Sequence, residues 1–332
     1  MDTYTVKTLA DRLQQQVGQV IVGKDHEIQL LLTALFASGH VLMEDVPGTG
    51  KTMLAKTLAA AMSCHFQRIQ FTPDLLPSDL TGIHFFNQKE SEFTFRAGPL
   101  FANIVLADEI NRATPRTQSS LLECMEEQQI SVDGETMKLD NPFMVIATQN
   151  PVDNQGTFPL PEAQMDRFML KMSMGYPSAE EGIEILRRTS LSSQASKETT
   201  TDSNSSSVFE QVTREQIIEA RQLCHAVTIH EDLLGYIVRL AEATRGHEEI
   251  ALGASPRATQ ALLRAAQAYA AIQGRDYVLP DDIQTMASPV LAHRLVFKNR
   301  HHNDKHKAHL LIQSILDTEQ VPTEANLESR VK

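Results

Sequence analysis

The sequence predicts an α/β domain in which a parallel sheet is sandwiched between helices, followed by a smaller all-helical domain. Short apolar segments bounded by polar residues recur along the first half of the chain, and segments of helical pattern lie between them. Continuous apolar strands are typical of parallel sheets covered on both faces, and their alternation with helices is typical of layered α/β domains. From residue 213 onward the patterns are helical.

The predicted elements follow one another in a regular order. Residues 1–38 are predicted to be helical with a break at Gly23, because apolar residues recur there at helical spacing. Residues 51–62 (KTMLAKTLAAAM) and 117–128 (TQSSLLECMEEQ) are predicted helices between strands. The predicted strands are 40–44 (HVLME), 64–71 (CHFQRIQF), 103–107 (NIVLA), 143–148 (FMVIAT) and 168–172 (FMLKM).

Composition divides the chain into three parts. Residues 1–190 are predicted to form the α/β domain with its N-terminal helices, and residues 209–332 the helical domain with a C-terminal helix. Residues 191–208 are rich in Ser and Thr and almost free of apolar residues, so we expect a flexible linker. Ser255 and Pro256 are a favourable N-cap and first-turn pair for a helix of the second domain.

Charge and hydropathy limit the classes of function. The net charge is −12, from 30 basic and 42 acidic residues, which disfavours broad contact with nucleic acid. The apolar runs are short, so we expect no membrane insertion. The first residues contain no apolar signal core, so we expect a cytoplasmic protein. Three cysteines without C-x-x-C spacing give no indication of a zinc site.

The stretch EDVPGTGKT, after the first predicted strand, has the pattern of a phosphate-binding loop, except that Asp45 holds the position of the first glycine. Gly48 and Gly50 would let backbone N–H groups surround phosphate oxygens. Lys51 would supply a cation, and Thr52 a hydroxyl for Mg²⁺. Asp is among the non-glycine residues that most readily accept the backbone geometry of glycine. The alternative is a glycine-rich turn that only connects strand to helix.

Polar residues also end two later strands. NIVLADEINR ends in Asp108, which could hold Mg²⁺ through its water shell, and Glu109, which could polarise a water for attack on a γ-phosphate. FMVIATQNP would bring Asn150 to the same place, because parallel strands present ligands at their carboxyl ends. The alternatives are a solvated strand end for the carboxylates and a turn-forming Asn before Pro151.

These motifs together resemble the AAA+ ATPases, which are P-loop proteins. More narrowly, EDVPGTGKT, GPLFANIVLADEINRATPRTQSSLLECMEE, ATQNP, LPEAQMDRF and SPRA, in this order, resemble the MoxR family over residues 20–297 apart from the linker. The resemblance implies ATP and Mg²⁺ as cofactors, a helical lid after the α/β domain, and tolerance of a non-glycine residue at position 45. The nucleotide-binding residues that it implies are Val22, Gly23, Pro47, Gly48, Thr49, Gly50, Lys51, Thr52 and Asp108, with Thr52 and Asp108 toward Mg²⁺.

The catalytic residues that the resemblance implies are Glu109, Asn150, Arg167 and Arg257. Arg167, in EAQMDRF, matches the arginine finger that reaches the γ-phosphate of the neighbouring subunit, where such a cation can be worth about 10³-fold in rate. Arg257, in SPRA, matches the second sensor, which reaches the nucleotide of its own or the adjacent subunit. The alternative for Arg167 is a surface arginine paired with Asp166.

The resemblance also implies partners and a role. We expect a homo-oligomer, a hexameric ring, that remodels or matures protein clients in a chaperone-like manner with a partner containing a von Willebrand factor A domain. Arg112 and Arg116 could face the subunit interface. The alternatives are a chelatase-type motor subunit for metal insertion, a DNA-directed motor, and a nucleotide switch that does not hydrolyse ATP. The acidic net charge disfavours the DNA motor.

Three further segments have two interpretations each. Residues 71–86 with 92–101 resemble a hairpin insertion, and residues 130–142, which alternate around Asp133-Gly134, predict a second hairpin. Such hairpins would face the central pore or the client, or else be solvent-exposed ribbons. The segment with His301, His302, His306 and His309 could ligate metal, but no set of carboxylates or cysteines accompanies these histidines, so we expect a solvated basic face.

Overall fold

The computed structural model describes residues 3–150, 156–198, 211–299 and 304–322. Eleven strands and twelve α-helices are formed by these residues. The strands are β1 (Val41–Glu44), β2 (Phe66–Gln70), β3 (Gly82–Asn87), β4 (Glu92–Ala97), β5 (Ile104–Asp108), β6 (Gln129–Val132), β7 (Glu135–Lys138), β8 (Met144–Gln149), β9 (Leu170–Met172), β10 (Ile250–Leu252) and β11 (Val296–Phe297).

The helices divide between the two domains. Those of the first part are α1 (Thr3–Val20), α2 (Asp25–Phe36), α3 (Lys51–Ala61), α4 (Pro77–Thr81), α5 (Pro115–Glu127), α6 (Glu162–Met165) and α7 (Ala179–Glu198). Those of the second part are α8 (Arg214–Ala226), α9 (Glu231–Gly246), α10 (Pro256–Ile272), α11 (Pro280–Leu291) and α12 (Asp304–Thr318). Ser255 is the N-cap of α10 as predicted, because its Oγ accepts the Ala258 N–H at 3.0 Å.

A five-stranded parallel sheet lies at the centre of the first domain, in the order β2-β5-β8-β1-β9. All five strands predicted from apolar segments belong to it. Glu44 is in register with Gln149, and Gln70 with Asp108, so the carboxyl ends of four strands align at one edge. The candidate site is built at this edge, in agreement with the rule for open parallel sheets.

Alternate strand residues enter two apolar cores, one on each face of the sheet, as the two-residue period of a strand requires. The first core receives Val41, Met43, Ile104, Leu106, Met144 and Ile146. The second core receives Leu42, Val105, Ala107, Val145 and Ala147, and it is closed by buried residues of α4 and α5. Burial on both faces explains why these strands are continuous apolar runs.

The N-terminal helices connect the two domains through the first core. Buried residues of α1, among them Val6, Leu13 and Val17, belong to the same cluster as residues of α3, α8 and α10. The apolar core is therefore continuous from the sheet into the helical domain. The predicted break between the N-terminal helices is present, and Gly23 within it has a φ of 67°.

Two details of the second half differ from the sequence prediction. Helix α7 continues to Glu198, so the first eight residues of the predicted linker are helical, and residues 199–208 lie outside the described residues. A capping box stabilises the start of α7: the Ser178 hydroxyl accepts the Glu181 N–H, and the Glu181 carboxylate accepts the Ser178 N–H. The helical domain also contains a small antiparallel pair, β10 with β11. Among the described residues, no helix is both long and apolar enough to cross a bilayer.

Candidate nucleotide site

The predicted phosphate-binding loop connects β1 to α3 at the carboxyl edge of the sheet. Gly48 and Gly50 have φ angles of 86° and 91°, which side-chain-bearing residues rarely adopt. A Cβ atom at either position would have no neighbour within 4 Å, so the loop backbone borders open space. Gly50 is also the N-cap of α3, and the positive end of that helix faces the same space.

Lys51 carries the positive charge of the loop. Its Nζ donates to the carbonyl oxygens of Asp45 at 3.0 Å and Val46 at 3.1 Å, which holds the ammonium group over the loop. Thr52 is the next residue of α3. The loop and the first residues of α3 therefore bring together backbone N–H donors, the Lys51 ammonium and the Thr52 hydroxyl. This set of donors suits a phosphate chain.

Asp45 has a structural role that its sequence position does not reveal. The carboxylate is buried and accepts three hydrogen bonds: from Ser173 Oγ at 2.6 Å, from the Met174 N–H at 2.7 Å and from the Gly175 N–H at 3.0 Å. Asp45 is not among the residues with positive φ, so the predicted need for glycine-like geometry is wrong. The residue fastens the loop to the segment that follows β9.

The second part of the site is a contact between β5 and β8 centred on Thr148. The buried hydroxyl of Thr148 donates to Asp108 Oδ1 at 2.6 Å and accepts the Glu109 N–H at 2.9 Å. Glu109 has φ 56° and ψ 50°, a left-handed conformation that costs a non-glycine residue roughly 1–3 kcal/mol. Such strain clusters at functional sites, and here it turns Glu109 out of line with the strand.

Three further side chains hold the two carboxylates, and β2 contributes two of them. Arg68 donates to Asp108 Oδ2 from Nη2 at 2.6 Å and from Nε at 3.1 Å. Gln70 Nε2 donates to Glu109 Oε2 at 2.9 Å, and Arg112 Nε lies 3.1 Å from the same oxygen. Arg68 and Gln70 were not among the predicted site residues. Their spacing of two residues indicates that both lie on one face of a strand, whereas the position of this strand beside the Asp108 strand is found only in the structure.

Asn150 directly follows β8, which lies between the strand of the phosphate loop and the Asp108 strand. The Asp45 N–H donates to the Gln149 carbonyl at 3.3 Å, so the end of β8 adjoins the start of the loop. Asn150 is therefore at the same edge as Lys51 and Asp108. Pro151, the basis of the alternative turn interpretation, lies outside the described residues.

The segment Val22-Gly23 packs near the same edge. Gly23 lies against the start of α7, since a Cβ at this position would come within 2.0 Å of Glu181 Oε1. Helix α7 follows the Ser173–Gly175 segment that Asp45 holds. The Val22-Gly23 segment, predicted to bind the nucleotide, is thus connected to the phosphate loop through the Asp45 contacts.

Arg167 lies at the opposite edge of the sheet. It precedes β9, whose Leu170 is in register with Val41 at the amino end of β1. Its Nη1 donates to the Leu122 carbonyl at 2.9 Å and lies 3.5 Å from Glu126 Oε2. The four residues of β1 alone span about 13 Å. The structure therefore separates Arg167 from the phosphate loop of its own chain.

Arg257 lies beside Arg167. Both guanidinium groups contact the Glu126 carboxylate at the end of α5, Arg257 through Nη2. Asp166, the partner in the alternative interpretation of Arg167, instead binds Arg294 and Ser255. Of the two arginines proposed for the subunit interface, Arg112 contacts Glu109 in its own chain and Arg116 is exposed on α5.

Both predicted hairpins are present. Strands β3 and β4 pair antiparallel, as do β6 and β7, with Asp133 and Gly134 at positive φ in the turn. His84 of the first hairpin contacts Asp133 of the second at 3.0 Å. The first hairpin exposes several large apolar side chains, namely Ile83, Phe85, Phe86 and Phe93.

The histidine-rich segment is only partly within the described residues, because His301 and His302 lie outside them. His309 Nδ1 contacts Ser288 Oγ at 2.6 Å, and Lys307 pairs with Glu249 at 3.2 Å. In the described part of the chain, no group of three or more potential metal-binding side chains occurs.

Comparison with known proteins identifies the family. Residues 40–170 match the family described as "ATPase family associated with various cellular activities (AAA)", and residues 242–314 match the AAA lid domain. The chain is 45 % identical to the protein YeaC of Bacillus subtilis over 316 residues, covering 95 % of this chain and 96 % of that protein. It is 40 % identical to Chaperone MoxR1 of Mycobacterium tuberculosis over 316 residues, covering 92 % and 81 %.

The fold of this chain also occurs in solved structures. The crystal structure of a candidate ATPase from Cytophaga hutchinsonii superposes with a TM-score of 0.83 at 40 % identity and covers 96 % of each chain. The match therefore extends over both the α/β domain and the lid. By sequence and by structure, this chain belongs to the MoxR family of AAA ATPases.

Proposed function

We propose that the chain hydrolyses ATP at a site completed by a second copy of itself. The observation that carries this proposal is the convergence, at one sheet edge, of the Lys51 loop and the Asp108-Glu109 pair, with Arg167 held at the opposite edge. A nucleotide on one subunit would meet the arginine of the next subunit, so hydrolysis would depend on assembly.

The residues fit Mg·ATP. The loop borders open space where Gly48 and Gly50 turn, and Lys51 lies over that loop. Thr52 and Asp108 would hold Mg²⁺, whose chemistry when bound is to neutralise charge on the β- and γ-phosphates. Asp108 Oδ2 is shared with Arg68, so Arg68 must move or share the carboxylate when the ion binds.

Glu109 would act as the general base. It would accept a proton from a water that forms a new bond to the γ-phosphorus, while the bond from that phosphorus to the β-phosphate oxygen breaks, releasing ADP and phosphate. Asn150 would orient the water or the γ-phosphate. Gln70 and Arg112 both contact Glu109 Oε2 and hold this carboxylate in place.

Arg167 would supply a cation to the γ-phosphate of the adjacent subunit. Because Arg257 contacts the same Glu126 carboxylate, we propose that it serves the adjacent nucleotide too, rather than that of its own chain. The two arginines thus form one charged surface directed at the neighbour, with Glu126 holding them together. A closed hexameric ring would repeat this contact at every interface.

Chaperone-like remodelling of protein clients is the proposed use of the hydrolysis energy. The relative named Chaperone MoxR1 supports this role, and the exposed apolar side chains of the β3–β4 hairpin suit contact with a client or a pore. We propose a partner with a von Willebrand factor A domain.

The chelatase-type alternative is supported less well, and stimulation of ATP turnover by a porphyrin would favour it. We retain the cytoplasm as the proposed location.

The test of this proposal compares Glu109→Gln and Arg167→Ala with the unchanged protein. Glu109→Gln should bind ATP without turnover and should accumulate as a ring in analytical ultracentrifugation. Arg167→Ala should bind ATP normally but lose roughly 10³-fold in kcat. Arg239→Ala, which removes a surface arginine that pairs with Glu319 in the lid, is the control and should leave kcat unchanged. Full turnover in Arg167→Ala, or no affinity for ATP with Mg²⁺, would overturn the proposal.

A further inference from the structure

Arg294 connects the lid to the chain around Arg167. It lies in a short 3-10 turn after α11, and its side chain is 3 % exposed. All five of its N–H donors are matched by acceptors. Nε donates to Asp166 Oδ1 at 2.6 Å, Nη2 to the carbonyls of Asp166 at 3.1 Å and Phe168 at 2.8 Å, and Nη1 to the carbonyls of Met169 at 3.0 Å and Val290.

These acceptors flank Arg167 on both sides. Asp166 comes directly before it and Phe168 directly after it, so the carbonyls on either side are fixed by one guanidinium from the lid. Only a planar group with five donors can satisfy such a set at once, which lysine cannot do. The backbone direction at Arg167 is therefore set by the lid rather than by the sheet alone.

The Asp166 carboxylate makes a second contact with the lid. Its Oδ2 accepts the Ser255 hydroxyl at 2.8 Å, while Ser255 caps the helix that begins one residue later and carries Arg257. One carboxylate thus bonds to both the Arg294 side chain and the start of the Arg257 helix. The positions of Arg167 and Arg257 are linked through these two oxygens.

We propose that Arg294 is a positioning residue for Arg167, acting through Asp166. The position of the Arg167 side chain then depends on the position of the lid. This inference rests on the proposed function, in which Arg167 acts on the neighbouring subunit. Movement of the lid would carry the Asp166–Phe168 backbone with it and would place or withdraw both arginines together.

A second arginine–aspartate pair supplies the control. Arg275 donates to both oxygens of Asp282 at 2.6 Å, and Asp282 is 2 % exposed. Both residues belong to the lid. Arg275→Lys therefore disturbs a half-buried lid arginine with two bonds to a carboxylate, without touching the Arg167 segment.

The experiment uses mixed rings. Arg167→Ala subunits keep an intact nucleotide site but no finger, whereas Glu109→Gln subunits keep the finger but cannot turn over. Mixing them should restore turnover at interfaces between the two. Arg294→Lys is then added to one component at a time. In the Glu109→Gln component, which donates the finger, it should lower the recovered kcat roughly 10- to 100-fold, the loss typical of a misplaced catalytic group.

The same substitution in the Arg167→Ala component should leave the recovered kcat unchanged, because that subunit contributes no finger. Arg275→Lys should have no effect that depends on the component carrying it. Equal losses on both sides would identify Arg294 as a structural residue only and would overturn the inference, as would no loss on either side. If the parental mixture recovers no turnover, the proposed action across the interface fails, and the inference fails with it.

A second readout separates positioning from folding. The affinity of Arg294→Lys for a fluorescent ATP analogue should match that of the unchanged protein, while kcat falls. If Arg294→Lys does not fold, Asp166→Asn tests the same link, because the amide removes one acceptor oxygen and preserves the shape of the side chain. Asp166→Asn should show the same dependence on the donating component, and a symmetric effect would contradict the inference.

Discussion

At the scale of single residues, the candidate site is organised by short contacts between polar side chains and the backbone. Thr148 connects Asp108 to the Glu109 backbone, and Asp45 connects the phosphate loop to the segment after β9. Each of these side chains is buried, or nearly so, and fully engaged. Buried polar groups of this kind stabilise one arrangement, because losing a partner leaves the other group desolvated and unpaired.

Asp45→Asn tests whether the contacts at the loop stabilise the fold. The carboxylate accepts hydrogen bonds on both oxygens, whereas an amide would turn its NH₂ toward one of the donors. We expect the free energy of unfolding to fall by about 2 kcal/mol, as for hydrogen bonds to a charged group. Urea denaturation measures the change.

Asp11→Asn is the control for this prediction. Asp11 is exposed on α1, so the same chemical change there should alter the unfolding free energy by less than about 0.5 kcal/mol. If Asp45→Asn were as stable as Asp11→Asn, the three hydrogen bonds would contribute nothing to the stability of the loop.

At the scale of elements, His40 joins β8 and α5 at the amino end of β1. Its Nδ1 accepts the Val145 N–H at 2.9 Å, and its Nε2 donates to the Met125 carbonyl at 3.1 Å. This pattern requires the neutral ring, since a second proton would face the Val145 N–H. Burial accordingly lowers the pKa of His40 to about 4.

The His40 contacts predict a loss of stability in mild acid. The folded pKa is about 4 and the unfolded pKa is near 6.5, so the unfolded state binds more protons between these values. The stabilising contribution is complete above pH 6.5 and is lost as the pH falls toward 4. Between pH 7 and pH 4.5 we expect a loss of about 2–3 kcal/mol from this residue.

Urea denaturation of the unchanged protein and of His40→Gln at pH 7 and pH 4.5 measures the effect. His40→Gln should be less stable at pH 7 but should show a smaller loss on acidification. Burial lowers the pKa of His293 as well, so some pH dependence should remain in the variant. An unchanged difference between the two pH values would contradict the assignment to His40.

At the scale of the whole molecule, the α/β domain and the lid are fastened by apolar and by polar contacts. Helix α1 packs against α3 of the first domain and against α8 and α10 of the second. Arg294 and Ser255 bind the Asp166 carboxylate at another point of the same boundary. One of the contacts that hold the lid against the α/β domain therefore lies next to Arg167.

Leu13→Ala tests the continuity of the core. Leu13 is fully buried on α1 within the cluster that spans both domains. Removing most of its side chain should lower the free energy of unfolding by about 3 kcal/mol. Hydrogen exchange should show reduced protection in both β1 and α10, because both depend on the same core. Loss of protection confined to one domain would show that the two domains unfold independently.

The sequence by itself determined the sheet, the helical lid and the residues at the strand ends. Apolar periodicity depends on burial, so it located all five strands of the sheet, and the glycine-containing loop with its lysine marked the phosphate-binding segment. The sequence could not explain the role of Asp45, because its hydrogen-bond partners lie about 130 positions later in the chain. It also did not indicate Arg68 and Gln70, because their roles depend on β2 lying beside β5.

Only the tertiary structure decided which side of the sheet each arginine occupies. Arg167 and Arg257 are 90 positions apart in the chain, yet both meet Glu126, far from the phosphate loop of their own subunit. Local propensity does not encode such contacts, because they arise from how the lid packs against the α/β domain. The same packing buries Arg294 against the Asp166–Phe168 backbone, where the sequence alone offered no signal.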